Sequence, residues 1–509
     1  MAVSAPAPFK GSAILLEHAQ KMQAARAARA RREQSGGLAR AFAAAQLNRL
    51  TSSWRATAER IDDELRNDLD ALRARSRALE NNNDYARNYL DIVETNLVGE
   101  QAPRLVPLID NAPGKPDDAA RQAVAAGWAE WCRRGVCEVS GNYSFDNVCQ
   151  VASRALARDG EILVEMIRGA EAGNRFGFAI RVLDVDRLAT WKNRPSSEGL
   201  DAIVSGVEVN RHGRPLAYWF NDTNLAGSRH AIRVDAGSLL HRFAVQRPEQ
   251  KRGIPWMHAS MLSMHYAGEF ALSALMAAKH GADHLGFFVT EDGGPPPVGV
   301  SADDTSDDRV LTSAPGTWDT LPAGVDVKTV ESKYPNEVFG PFLKSANQRM
   351  ASGLPGASYP ELCNDYEAVN FSSIRAAILS ARDEWRKRQR WFAEALLDSV
   401  YAEWLRMALL NGALLLPNGS ALPLAKLDKF KAHGWRFRGW AWVDPLKDME
   451  AARAAYELGV TSLSRIAGDM GRDIEDVFDE RQQEAALADR YGVPINAGQP
   501  LPQPPEVPA

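Results

Sequence analysis

Two aspartates at alternate positions, Asp184 and Asp186, close a strand-like run and are the nearest approach in this chain to a two-metal nuclease pair. Alternate strand residues face one side, so both carboxylates could meet the same ion. Such a centre needs a third acidic or histidine ligand placed with them, and one isolated pair reads better as a turn. His280 and His284 stand one helical turn apart, but Gly281 occupies the place of the glutamate in H-E-x-x-H. The cluster Asp303, Asp304, Asp307 and Asp308 has the charge of a calcium loop and lacks its form: Asp308 stands where the loop needs glycine and Ala314 where it needs glutamate. There is no G-x-x-x-x-G-K-S/T phosphate cradle, no G-x-S-x-G elbow and no G-x-G-x-x-G after a strand. Cys132, Cys137, Cys149 and Cys363 fit neither a zinc pattern nor a disulfide framework, and read as buried thiols in a reducing cytoplasm. The expectation is no catalytic residue, no metal and no cofactor.

The elements that must position any function are clearer. At 509 residues the chain exceeds what one core supports, so two or more subdomains are expected. Arg26, Arg29, Arg31 and Arg32 sit in an Ala-rich stretch before Gly36-Gly37, which reads as a frayed basic helix or a disordered arm. Leu65, Leu69, Leu72, Leu79, Tyr85, Tyr89 and Ile92 predict one long helix over 53–98, closed by Gly99. A proline-bearing loop at 103–116 and helices at 119–134 and 145–158 follow. Between 161 and 243 the period becomes strand-like, with a hairpin turned at His212-Gly213, so the fold class is α+β.

A helix over 255–284 is rich in small residues, among them Ala267, Gly268, Ala271, Ser273 and Ala274. It has little to bury by itself, which predicts neighbouring helices from other subunits. A strand-and-turn insert at 287–333 contains Pro295-Pro296-Pro297, and a second helix, 336–352, returns from it. A Gly/Pro loop at 353–370 precedes the longest helix, 372–411, which Gly412 ends. Its apolar stripe runs through Trp385, Phe392, Leu396, Val400 and Trp404, with Arg382, Arg386, Lys387, Arg388 and Arg390 on the outer face. Strand potential at 435–443 and helical pieces at 444–459 and 461–491 follow, and the Pro-rich end, 494–509, reads as disordered.

The net charge of −5 argues against a simple basic nucleic-acid binder, while leaving room for a protein that handles DNA without holding it. No signal peptide is visible, and Glu269 and Lys279 interrupt the most apolar helix, so no membrane span is expected.

Several stretches in colinear order resemble the portal proteins of lambda-type tailed phages, from about Asp68 to Gly492. They include Leu72-Arg73-Ala74-Arg75-Ser76-Arg77 with Asn81-Asn82-Asn83, then Val98-Gly99, 206–219, and Gln250-Lys251-Arg252-Gly253-Ile254-Pro255. Further along stand Ala351-Ser352-Gly353-Leu354, the run 365–375, Trp442-Val443-Asp444-Pro445-Leu446-Lys447 and Gly459-Val460-Thr461-Ser462. Phe371 and Ile374 depart from the family's more usual Tyr and Ala.

The resemblance implies a portal-type subunit in a ring, usually of twelve, at a capsid vertex of a virion assembled in the host bacterial cytoplasm, a prophage being one place for its gene. It implies a basic arm (1–52), a wing (53–254 and 372–443), stem helices (255–284 and 336–352), a clip (285–335), a tunnel loop (353–371), a crown (444–492) and a tail (493–509). Its partners would be double-stranded DNA in transit, the terminase large subunit, major capsid and scaffolding proteins, and head-tail connector proteins. Twelve copies at −5 would carry about −60, and phosphate held too tightly would stall a sliding duplex. Lys344 and Arg349 on the second stem helix are candidates for weak guidance of DNA, with intersubunit ion pairing equally open. Glu361, Asp365 and Glu367 lie on a loop without Lys or Arg, so its contact with DNA would be repulsive or steric. The competing readings are a packaging-associated nuclease or ATPase and a head scaffolding protein.

Overall fold

The computed structural model describes residues 59–222, 230–283, 287–290, 325–328, 339–367 and 371–492. The expected arm, nearly all of the expected clip with its Asp303 cluster, and the tail lie outside the described residues. The chain divides into a unit ending at Arg60 and a body beginning at Ile61, and the elements below belong to the body.

Helices α1 (Ile61–Asn82) and α2 (Asp84–Leu97) open it. The sequence pattern predicts one helix here, and the break has a local cause. Asn83 adopts extended backbone and its side chain accepts from the Ala86 amide, capping α2 inside what would be a continuous helix. Its amide nitrogen also donates to the Met264 carbonyl at 3.0 Å, so the break doubles as a docking point.

The proline-bearing stretch expected as loop forms three short strands, β1 (Arg104–Pro107), β2 (Asp110–Ala112) and β3 (Lys115–Pro116). Helices α3 (Asp118–Trp131) and α4 (Phe145–Arg158) match expectation; Ser144 and Asn147 form a reciprocal capping box on α4.

An antiparallel three-stranded sheet follows, in the order β10-β4-β5, from β4 (Glu161–Arg168), β5 (Phe178–Leu183) and β10 (Leu239–Phe243). A second sheet runs β6 (Ala202–Val204), β7 (Val207–Val209), β8 (Pro215–Asn221), β9 (Ala231–Asp235). The expected hairpin is the β7–β8 pair, with Gly213 at φ +77° in its turn.

Helix α5 (Met261–Asp283) begins six residues later than the pattern suggests, because residues 256–260 are turns. Strands β11 (Phe287–Thr290) and β12 (Val325–Lys328) pair antiparallel, and α6 (Phe339–Ser352) follows. The expected 353–370 loop contains a short helix, α7 (Tyr359–Cys363).

The long helix comes as α8 (Phe371–Phe392), a π turn (Ala393–Leu397) and α9 (Asp398–Leu410). The turn has a reason in the side chains. Phe392, Leu396, Val400 and Trp404 repeat every four residues, and each step drifts about 40° on a 3.6-residue helix. Three steps would swing Trp404 about 120° away from Phe392. The wider i→i+5 turn takes drift back, and all four side chains are buried to 1% exposure or less.

Trp404 then meets Trp128 edge-on, with ring centroids 5.0 Å apart, in an aromatic cluster with Trp131, Phe145 and Tyr401. Gly127 lets the layers close, since a Cβ there would stand 2.4 Å from Leu414. Helix α10 (Leu427–Phe430) precedes β13 (His433–Arg436), which pairs with β1. At the end come α11 (Pro445–Glu457), α12 (Leu463–Asp469) and α13 (Ile474–Tyr491). The expected 461–491 helix is therefore split, at Gly471 (φ +79°) and the Asp473 cap.

Candidate functional site

The acidic pair is engaged by arginines. Asp184 caps a 3-10 turn by accepting from the Asp186 amide, and Arg77 bonds Asp184 at 3.0 Å and also holds Asp186. Burial alone would raise the Asp184 carboxyl, but the Asp186 amide and Arg77 overcome it and hold it below the usual range. No His, Cys, Asp or Glu group among the described residues is arranged to hold a metal. The side chain of His280 and the whole of His284 lie outside the described residues. The four cysteines are free, and burial pushes their thiols up; Cys363 rises to about 11.

A buried electrostatic cluster centres on a residue not singled out from the sequence, Glu161, and takes in Arg252 and Gly253 of the stretch 250–255. Glu161, the first residue of β4, is fully buried and accepts from Arg252 Nη2 at 2.6 Å, His241 Nε2 at 2.9 Å and the Gly253 amide at 2.8 Å. Burial would raise its carboxyl, but the Arg252 charge and the His241 bond hold it well below the usual range. Burial keeps His241 below its ordinary value despite Glu161, and because a carboxylate can only accept, Nε2 is the donor in this bond.

Arg252 donates further to the Ser205 carbonyl at 2.6 Å, joining the two sheets to the segment that leads into α5. The backbones nearly touch there: a Cβ on Gly253 would stand 2.1 Å from the Gly160 carbonyl oxygen. Gly160 itself sits at φ +87°. All this is structural. A carboxylate saturated by fixed donors and closed to solvent has no reactive lone pair to offer.

Helices α5 and α6 pack against each other through one face of each. Met264, Ala267 and Ala274 are buried within the subunit, and Phe270 meets Phe339 and Phe342 with centroids 5.6 and 5.5 Å away. Ser260 Oγ donates to the Met350 carbonyl at 2.8 Å, beneath Gly353, where a Cβ would collide with it. On the opposite side Leu262, Tyr266, Leu272 and Met276 are exposed, and at 3.6 residues per turn they fall within an arc of about 120° that also holds the exposed His265–Glu269 ion pair and Ser273. No helix among the described residues is long and apolar enough to cross a membrane.

The 353–367 segment is anchored and not free. Leu354 and Leu362 are core residues, Tyr89 OH donates to the Pro355 carbonyl at 3.1 Å, and Asn88 donates to the Leu362 carbonyl at 2.8 Å. Lys344 pairs with Asp365 at 3.6 Å and lies over the Tyr359 ring, so two of the residues expected to face DNA bind each other. Glu361 is half-buried, and burial raises its carboxyl. Glu367 and Arg349 are exposed, and Arg349 has no carboxylate within 4 Å among the described residues.

Residues 47–389 match the family described as "Phage portal protein, lambda family". The chain is 33% identical over 474 residues to the "Probable portal protein" of Halomonas phage phiHAP-1, covering 91% of this chain and 90% of that one. It is 21% identical to "Portal protein B" of Escherichia phage lambda, covering 85% and 86%. A chain in the solved structure described as "Neck of empty GTA particle computed with C6 symmetry" superposes with a TM-score of 0.41 at 14% identity, covering 80% of this chain and 94% of that one. The chain belongs to the lambda family of phage portal proteins, and is a structural protein, not an enzyme.

Proposed function

We propose that this protein forms a closed ring, of twelve copies in the simplest case, at one capsid vertex of a virion, and that double-stranded DNA is packaged and later ejected through it. The observation that carries the reading is the uncovered face of α5, where Leu262, Tyr266, Leu272 and Met276 are exposed around the His265–Glu269 ion pair, on a chain of the portal family. A single copy leaves that face in water, and a patch of this kind marks an association surface. Helices α11, α12 and α13 support the same reading, since none of their residues is buried.

In this reading α5 and α6 are the stem, 285–335 the clip that docks the terminase large subunit, 353–371 the tunnel loop and 444–492 the crown. The wing, 53–254 with 372–443, meets capsid and scaffolding proteins, and head-tail connector proteins bind after packaging. Within the channel Arg349 is the cation best placed to touch passing phosphates, because Lys344 is already paired. Glu361, Asp365 and Glu367 would act by repulsion or shape.

Native mass spectrometry of the purified full chain tests the reading. A closed ring mass is expected; a stable monomer or an open polymer overturns it. Incubation with ATP, Mg²⁺ and plasmid should give neither hydrolysis nor nicking.

A further inference from the structure

Between α8, the stretch 435–440 and α12 lies a cleft of about 310 Å³ that the portal reading does not use. Three arginines, Arg386, Arg436 and Arg438, and a single aspartate, Asp469, line it beside Trp440. The guanidinium carbons of Arg382, Arg386 and Arg438 stand 5.9, 5.7 and 5.8 Å from the Trp440 ring centroid, so three cations surround one indole. The ring is fixed, because its Nε1 donates to Asn96 Oδ1 at 2.9 Å.

Carboxylates neutralise this group only in part. Arg436 pairs with Asp473 at 3.0 Å, while Arg386 reaches Asp383 and Asp469 only at 3.5 and 3.6 Å. Arg438 donates to backbone carbonyls, Thr95 at 2.7 Å and Gly439 at 3.3 Å, and Arg382 to the Ala441 carbonyl at 2.9 Å. Neither has a carboxylate within 4 Å among the described residues, and the buried Nε of Arg382 has no acceptor among them. Burial, and then the repulsion of Arg386 and Arg438, lower the Arg382 pKa although Asp448 acts to raise it, and burial likewise lowers Arg438 against Glu361.

We propose that this cleft binds a phosphate group, presented by a nucleic-acid backbone or as free phosphate. Planar guanidinium forks match pairs of phosphate oxygens, and arginine is the side chain that recognises them with defined geometry. A neutral or cationic ligand would gain nothing from three crowded cations. The cleft shares no residue with the uncovered face of α5, so phosphate binding holds or fails independently of ring formation.

The test uses the full chain in two binding arms: inorganic phosphate by calorimetry, and a fluorescein-labelled duplex of about twenty base pairs by anisotropy at fixed salt. The variants are Arg386→Gln and Arg382→Gln, with Arg438→Lys keeping the charge where Arg438 also caps the end of α2. Arg390→Gln, exposed one turn further along the same helix and outside the cleft's lining, is the control for bulk charge. Loss of charged hydrogen bonds should weaken binding roughly tenfold or more in Arg386→Gln, which lines the cleft, and by less in Arg382→Gln, which removes a nearby charge but no lining group. The control should stay within about twofold. Weakening in the phosphate arm alone identifies a free-anion site, and weakening in the duplex arm identifies a nucleic-acid contact. No binding in either arm, or equal weakening by Arg390→Gln, overturns the proposal. Unchanged melting temperatures for the variants separate lost contact from lost fold.

Discussion

The Arg252 guanidinium donates to the Glu161 carboxylate from Nη2 at 2.6 Å and from Nε at 3.1 Å, across 91 positions of chain, with neither side chain more than 1% exposed. Because the pair is closed to water, removing one partner strands the other. Arg252→Met should cost about 3–5 kcal/mol by urea unfolding, and Glu161→Leu a similar amount. Replacing both together should cost less than the sum of the two. A single-variant loss below about 1 kcal/mol would mean that solvent reaches the pair.

The same cluster sets an acid limit. His241 has a lowered folded pKa, so the unfolded chain binds the proton more readily and stability falls as pH drops below about 6.5. Glu161 has a depressed folded pKa, so its contribution is complete above about 4.5 and is lost as pH falls from there through the folded value. Urea midpoints measured from pH 7.5 down to 4 should fall first with the histidine and then more steeply. His241→Gln should flatten the upper part of that curve and leave the lower part.

Gly160 and Gly253 should tolerate no side chain. Gly253→Ala drives a methyl into the Gly160 carbonyl, and Gly160→Ala drives one into the Ile254 backbone from a left-handed conformation. Backbone cannot rotate aside as a side chain can, so each should cost at least about 1–3 kcal/mol. Expression yield and melting temperature would show it, with Gly141→Ala, which has open space around it, as the comparison.

Two small residues on α5 should behave differently. Ala274 is buried within the subunit, so Ala274→Leu should lower the melting temperature of the subunit itself, by overpacking of about 1–3 kcal/mol. Ala271 is exposed, so Ala271→Leu should leave the subunit stable and reduce ring yield in native mass spectrometry. Equal ring yields for wild type and Ala271→Leu would take the Ala271 side of α5, which lies opposite Leu262 and Met276, out of the subunit interface.

The anchored half of the 353–367 segment should separate from its outer end. Leu362→Ala removes a core side chain and should cost about 2–5 kcal/mol. Lys344→Ala breaks a partly exposed ion pair and should leave the melting temperature nearly unchanged. Deleting Tyr366 and Glu367, both exposed, should leave rings intact while genome retention in assembled heads falls. Normal retention would make the segment a passive connection.

Helices α3 and α4 and the β7–β8 hairpin are legible because local period and turn chemistry specify them. Gly213 supplies the positive φ that its turn needs. The break at Asn83 is not, since three asparagines read equally as a solvated helix face until the Met264 carbonyl fixes one of them. Strand β1 hides inside a proline-bearing stretch because its partner, with Arg104 opposite Arg436, lies hundreds of positions away. Glu161 escapes notice for the same reason. It opens an apolar strand, as a solvated end residue would, and its partners sit 80 and 91 positions on. A signal existed in Arg252-Gly253, inside the stretch 250–255 that resembles the portal family. The exposed Leu262, Tyr266, Leu272 and Met276 of α5 are hidden behind its surplus of small residues, and of the arginines about Trp440 only Arg382 and Arg386 show, as part of an outer helix face, while Arg438 stands outside that helix.

The π turn gives the long helix a spare residue. Its ladder closes at i→i+5 over Ala393–Leu397, so one residue there is surplus to an ordinary helical connection. Deleting Ala395 could shorten the bulge to a regular turn and leave both halves in phase. A deletion at Glu403 has no such slack: it would rotate everything beyond it by about 100° and turn Trp404 away from Trp128. Length is thus negotiable over five positions of this helix and fixed along the remainder.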